Sequence, residues 1–222
     1  MSVDYSVISI GALSRNRFWN ETQPRRVAHA TTTLIRDGTT TILVDPGLPS
    51  ELLAQRLDER SGLQPSDIQA VFLTTFRPVH RRALALFDTA TWLMHEAEIA
   101  AVRAHLDELG DRADAQDVRR LVREEQGLLS RVKPAEDRLT PAVHLFPAAG
   151  VTPGSAALLL AAPSRTVVIA GDAVVTRDYY EAGRIFEQVA SVAEAQEAFA
   201  EIVEIADELV PGHDNAFRVY GR

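Results

Sequence analysis

A chain of 222 residues with 46% hydrophobic and 24% charged side chains has room for one large α/β domain with a full core. A net charge of −8 with no long basic block excludes a nucleic-acid surface, and the absence of cysteine removes disulfides and thiolate metal ligands. The apolar run Ala156 to Pro163 is far short of a membrane span, and the opening residues, with Asp4 and no basic start, do not read as a signal peptide; a soluble cytoplasmic protein is expected.

Tyr5 to Ile10 reads as a short β-branched strand. His29 to Ile35 and Thr39 to Val44 flank Asp37-Gly38, a strong hairpin signal. The second of these strands ends in Asp45-Pro46-Gly47. Pro49-Ser50 then open a helix from about Glu51 to Arg60, with apolar residues at helical spacing. Leu63 to Asp67 is a turn, and the apolar strand Ala70 to Leu73 runs into Thr-Thr-Phe-Arg-Pro-Val-His. A helix around Arg81 to Phe87, a strand Thr91 to Met94 and a helix Glu96 to Leu109 follow.

The stretch from 111 to 133 is rich in Arg, Asp and Glu, with Leu121, Val122, Leu128, Leu129 and Val132 as one apolar stripe. It reads as a helical insertion, more in keeping with an amphipathic helix covering a sheet or a homodimer contact than with a ligand-gripping lid. Strands return at Val143 to Phe146, Ser155 to Ala161 and Thr166 to Ala170, the last ending in Gly171-Asp172. A helix from about Val192 to Ile205 leads to a last strand, Glu208 to Val210, which runs into Pro211-Gly212-His213-Asp214. No low-complexity linker interrupts the chain, so residues 1–222 read as a single domain. Strands gathered in two halves with helices outside suggest a four-layer αββα sandwich.

Several strand-end loops are similar, in order and spacing, to those of the metallo-β-lactamase superfamily. TTTLIRDGTTTILVDPG resembles its opening hairpin and aspartate-bearing turn, and VFLTTFRPVH sits where its His-x-His-x-Asp-His motif belongs. PAAGVTPGSAALL resembles its Pro-Gly-His loop, VVIAGDAV the strand that delivers a bridging aspartate, and LVPGHD the final histidine turn. Within the superfamily, Val210 to Phe217 is similar to the group typified by metallo-β-lactamase domain-containing protein 1.

The resemblance implies two cations, usually zinc. Its first-site histidine positions hold Thr75, Arg77 and Val151 here, so that site reads as lost. At the second site Val79 replaces the motif aspartate, while His80, Asp172 and His213 stand. Two imidazoles and a carboxylate suit one divalent Zn, Fe, Mn or Ni. The opposing reading has no cation, with Arg77 reaching into the vacated first site to neutralise Asp172.

Other residues stay open between a site role and a plain one. Asp45 resembles an aspartate that orients a ligand histidine, or serves as a turn residue or helix cap. Asp214 orients His213 or closes its turn. Arg177, Asp178, Tyr179 and Tyr180 line the pocket or pack on a neighbouring helix, and Phe18 and Trp19 rim the site or anchor their loop. His29, His95, His105 and His144 lack ligand spacing.

Two functions follow. One is a protein with a degenerate site, without two-metal hydrolysis, that binds a small acidic molecule or a protein partner. The other is a single-metal hydrolase of an ester, lactone, thioester or phosphoester, using His80, Asp172 and His213. With four of the seven ligand positions changed, the sequence leans narrowly to the first.

Overall fold

The computed structural model describes residues 3–219. In the first half the chain runs through β1 (Asp4–Ser9), β2 (Thr32–Asp37), β3 (Thr40–Val44), α1 (Ser50–Ser61), β4 (Ala70–Leu73), α2 (Pro78–Arg81), β5 (Thr91–Met94), α3 (Glu96–Arg112), α4 (Gln116–Leu129) and β6 (Lys133–Pro134). The second half holds β7 (Arg138–Thr140), β8 (Val143–Pro147), β9 (Ala156–Ala162), β10 (Arg165–Gly171), α5 (Arg177–Glu181), α6 (Val192–Ile205), β11 (Glu208–Pro211) and β12 (Phe217–Arg218).

Each half makes one six-stranded sheet, in the orders β1-β2-β3-β4-β5-β6 and β12-β11-β10-β9-β8-β7. Both use the same local plan, an antiparallel meander followed by a parallel neighbour: β3 with β4 and β10 with β11. A parallel pair needs a crossover, and α1 and the α5–α6 segment supply them.

Period-2 alternation on strands apolar at both parities buries both faces of each sheet. Ile35, Ile42, Val44 and Phe72 meet Val143, Leu158, Leu160, Val167, Ile169 and Val210 between the sheets. The opposite faces pack on helices: Leu34, Leu43 and Val71 with Leu53, Leu57, Leu106 and Val122, and Val168 and Leu209 with Ala198 and Ile202. The layers are therefore helix, sheet, sheet, helix. Among the described residues no helix is long and apolar enough to cross a membrane.

Several elements depart from the sequence reading for identifiable reasons. The strand expected from His29 begins only at Thr32, because Ala30 N–H donates to Val79 O (2.9 Å) and Thr31 N–H to Gly212 O (2.6 Å). Those donors are spent on the loops at the strand ends. The helix expected over Arg81 to Phe87 starts earlier, at Pro78, and stops at Arg81. Ala83 N–H turns away to Pro46 O (2.9 Å), and a separate 3-10 turn covers Leu84–Phe87.

The 111–133 segment is helical at 111–112, the end of α3, and over Gln116–Leu129, and its last residue joins the edge strand β6. Val122, Leu129 and Val132 are buried, but Leu121 stands 55% exposed. Positions 122 and 129 are seven apart and share a face, and 121 is rotated off it. α5 was invisible to periodicity because it is one turn long; Thr176 caps it by accepting from Tyr179 N–H (3.4 Å).

The α4 assignment predicts an asymmetry between two leucines of the same helix. Leu121→Ser should change stability by less than about 0.5 kcal/mol, whereas Leu129→Ala should cost about 2–4 kcal/mol. Urea denaturation of the two variants checks it, and equal losses would mean that the helix is rotated from the orientation described.

Candidate functional site

At the end of β3 the chain turns sharply through Asp45, which sits in the left-handed region at φ 50°. Aspartate tolerates that conformation better than most residues, and here its side chain is also fixed. Asp45 Oδ1 accepts from Thr74 N–H (2.9 Å), and Oδ2 accepts from the Thr74 hydroxyl (2.6 Å) and from His80 Nδ1 (2.9 Å). The aspartate thus seats the β4 exit loop and fixes the tautomer of His80, leaving Nε2 turned toward Asp172 at 3.3 Å.

Asp172 leaves β10 through Gly171, whose φ is +52° and whose missing Cβ would lie 2.6 Å from Thr74 Oγ1. From the other side His213 follows β11, with Nε2 3.1 Å from Asp172 Oδ1 and Nδ1 donating to His29 O (2.9 Å). A Cβ on Gly212 would stand 2.7 Å from Asp172 Oδ1, so glycine is what lets this loop approach.

His80, Asp172 and His213 are all buried, and each offers a ligand atom within 4.8 Å of the others. Two of their atoms, His80 Nε2 and Asp172 Oδ1, are buried with no hydrogen-bond partner. The short contacts at 3.3 and 3.1 Å are close enough for strong electrostatics but are not aligned as hydrogen bonds. Orphaned polar atoms of this kind are rare in a folded core, and they fit a donor set for one cation.

Without a cation the charges must be balanced internally. Burial pulls the His80 pKa down, but Asp172 and then Asp45 outweigh it and hold the imidazolium, raising it to about 10. Burial pushes Asp172 up, but His80 and His213 outweigh that and keep it well below the usual carboxylate range.

Arg77, at the N-terminus of α2, reaches the same carboxylate. Nη1 donates to Asp172 Oδ2 (3.1 Å), and Nη2 donates to Val151 O (3.1 Å) and Gln188 O (2.8 Å). One guanidinium therefore clamps three loops. Its side chain is 27% exposed against 2% for Asp172, so it looks onto the adjoining cavity.

Thr75 and Val151 turn elsewhere. The Thr75 hydroxyl and Phe76 N–H donate to Glu98 Oε1 (2.8 and 3.1 Å), while the Thr152 hydroxyl and Gly154 N–H donate to Oε2 (2.7 and 3.2 Å). Glu98, in the first turn of α3, is 1% exposed and locks these two loops together.

A cavity of about 760 Å³ opens onto Asp172 and His213. Of the expected pocket residues Arg77, Val79 and Tyr179 line it, whereas Thr75, Val151 and Asp45 do not. Tyr179 is buried and donates its hydroxyl to Glu187 (2.7 Å to Oε1); burial and that carboxylate push its pKa up. Phe18 packs edge-on against Tyr179 at 4.9 Å, an anchor, while Trp19 is 59% exposed and donates Nε1–H to Asp178 (2.9 Å). Tyr180 packs on Phe217. Asp214 closes its turn, accepting from Arg177 N–H (3.0 Å) and, at its carbonyl, from the Thr31 hydroxyl (2.7 Å).

Sequence reasoning missed Thr74, Glu98, Glu187 and Gln188. Thr74 could have been suspected from its place beside Thr75, but Glu98 lies in an ordinary Glu-Ala-Glu helix start and Gln188 acts through its carbonyl, so neither carries a side-chain signal.

Comparison with known proteins gives a consistent likeness. The family described as the metallo-beta-lactamase superfamily matches residues 25–213. No curated protein sequence matches. Among solved structures, one of a Thermotoga maritima protein classed with the metallo-beta-lactamases is similar at TM-score 0.70 and 20% identity, covering 98% of this chain and 100% of that one. The dizinc quorum-quenching lactonase AidC, in complex with a homoserine product, is similar at TM-score 0.68 and 15% identity over 96% of this chain and 84% of its own. B. thuringiensis AiiA with N-decanoyl-L-homoserine at its active site is similar at TM-score 0.67 and 17% identity over 96% and 93%. These likenesses carry the superfamily and the fold, and not the narrower group suggested by Val210 to Phe217.

Two outcomes follow from the site's electrostatics. Glu98→Ala strands four donors, three of them buried, and should cost about 3 kcal/mol or more in urea denaturation. In protein stripped of cations, His80 has a raised pKa, so the stability it contributes is full below about pH 6.5 and lost as pH climbs to about 10. The denaturation midpoint of chelator-treated protein should therefore fall across that window. A flat midpoint would mean that His80 is neutral in the fold.

Proposed function

The chain belongs to the metallo-beta-lactamase superfamily, and from that membership we propose that it is a single-cation hydrolase acting on a small ester, lactone, thioester or phosphoester. The observation that carries this reading is that two buried atoms of the His80, Asp172 and His213 cluster, His80 Nε2 and Asp172 Oδ1, lack a hydrogen-bond partner. The sequence alone leans to ligand binding; these unsatisfied atoms tip the balance toward a cation.

His80 Nε2, Asp172 and His213 Nε2 would hold the ion, and Zn, Fe, Mn or Ni each accept that donor set. When bound, the cation supplies Lewis acidity and lowers the pKa of water. Asp45 keeps the proton on His80 Nδ1 and so presents Nε2; His29 O does the same for His213. Arg77 places a permanent positive charge beside Asp172, where it stabilises negative charge developing on a substrate oxygen. The cavity is large enough to admit a small molecule to His213 and Asp172.

This reading has one cation and no second. The Thr75 hydroxyl is engaged by Glu98, Val151 offers only a carbonyl that Arg77 already uses, and the guanidinium repels a neighbouring ion. The lactone part of the substrate range follows the lactonase AidC and AiiA, with N-decanoyl-L-homoserine at its active site, both of which share the fold.

One observation favours the second reading, a binding protein for a small acidic molecule without catalysis. Asp172 already has Arg77 at 3.1 Å and a protonated His80 at 3.3 Å, which neutralise it without any ion.

Elemental analysis of protein purified without added metal separates the two. One equivalent of a transition metal is expected, lost in His213→Ala and Asp172→Asn. Asp45→Ala should weaken affinity by about 10–100-fold, because it frees the tautomer of His80. Hydrolysis of acyl lactones and 4-nitrophenyl esters should disappear with chelator and return with the metal found. No metal and no turnover in a fully folded protein would establish the binding reading instead.

A further inference from the structure

The charged side chains around the cavity are paired with one exception. Each carboxylate lining it has its own arginine: Asp172 has Arg77 (3.1 Å), Glu187 has Arg17 (2.7 Å) and Glu21 has Arg26. Arg15 also lines the cavity, is exposed, and among the described residues makes no ion pair or hydrogen bond with a carboxylate. Its charge is felt at the Tyr179 hydroxyl, on the same wall as Glu187. In a protein of net charge −8, a cleft lined by three arginines and three carboxylates is locally neutral, and because Glu21 pairs with Arg26 from outside the lining, Arg15 is the guanidinium left over.

The rest of the lining combines apolar surface with the candidate site residues. Leu13, Ala28 and Phe186 supply apolar surface, and Asp172, His213 and Arg77 the reactive end. We infer that Arg15 is a specificity-determining residue that binds a carboxylate on the substrate, so that the substrate class is a short-chain acyl ester or lactone carrying a free carboxylate away from the scissile bond. A guanidinium and a carboxylate make a bidentate, planar pair. A single unmatched arginine balances a monoanion, and a phosphate dianion would leave one charge without a partner. This inference rests on the hydrolase reading for its chemistry, while its binding component stands apart from turnover.

The test compares two 4-nitrophenyl esters of equal length, the glutarate hemiester and the neutral valerate, on the metal-containing protein as purified. The hemiester should be preferred in kcat/KM, through KM, by roughly tenfold or more, the scale of one charge-assisted pair. Arg15→Ala should collapse the preference and Arg15→Lys restore part of it. A separate calorimetric titration with glutarate and with inorganic phosphate reads binding without chemistry. Glutarate binding that depends on Arg15, in a protein that hydrolyses neither ester, would keep this inference and overturn the hydrolase reading. Equal hydrolysis of both esters, unchanged by Arg15→Ala, would overturn this inference and keep the hydrolase. Phosphate binding as tightly as glutarate would overturn the carboxylate assignment, and no Arg15-dependent binding of either anion would overturn the subsite altogether.

Discussion

The structure of this site depends on a buried carboxylate that cannot stand alone. Asp172 is 4% exposed, and an uncompensated charge at that depth costs several kcal/mol. Everything near it answers that constraint. Arg77, His80 and His213 converge on its two oxygens from three different loops. Gly171 and Gly212 leave the space for that convergence, since a Cβ at either would collide with Thr74 or with Asp172 itself. The backbone is bent to serve the charge.

A second buried acid nearby shows how differently the same problem can be solved. Glu98 accepts from two hydroxyls and two backbone N–H groups, which saturate its oxygens without a counter-charge. Its role is to hold the Thr75 and Thr152 loops. Asp172 instead is surrounded by cations and potential cations, and one of its oxygens has no hydrogen bond. A saturated carboxylate is a cross-link; an unsaturated one beside two imidazoles is a group that could hold an ion. The contrast between Glu98 and Asp172 separates the two roles more clearly than either group alone.

The fold was legible in the sequence wherever an element was long or bounded by strong punctuation. Ala70 to Leu73, Thr91 to Met94 and Val192 to Ile205 fall where the pattern puts them, and the Asp37-Gly38 turn joins β2 to β3. Elements went unread where tertiary contacts override local pattern, as at His29 to Thr31, whose donors serve Val79 and Gly212 rather than a neighbouring strand. His80, Asp172 and His213 could be named because their loops carry recognisable spacing, and the Arg77 contact with Asp172 because a buried acid needs a cation. Thr75 and Val151 were placed at the pocket by the same spacing, but their side chains face Glu98 and the protein interior. Spacing locates a backbone position. The direction of a side chain is decided by the nearest partner, and Glu98 lies too far along the chain to be seen from Thr75.

Arg77 sets what this arrangement can do chemically. A metal ion can exchange ligands during a reaction, but a guanidinium cannot lose its proton or coordinate a lone pair. What it offers is a fixed charge and directed N–H groups. Held on Val151 O and Gln188 O as well as Asp172, it makes the position of three loops independent of a second ion. The cost falls on the remaining site, because a positive charge about 4 Å from another is worth about 4 kcal/mol of repulsion at an effective dielectric of 20. Asp172, lying between them, offsets that repulsion, and so does any anion bound in the cavity. A site in which Arg77 and a cation share one carboxylate is therefore electrostatically incomplete until an anionic ligand arrives. With a cation present, an anion held by Arg15 at the same cavity would complete that charge balance, as the proposed acidic substrate would.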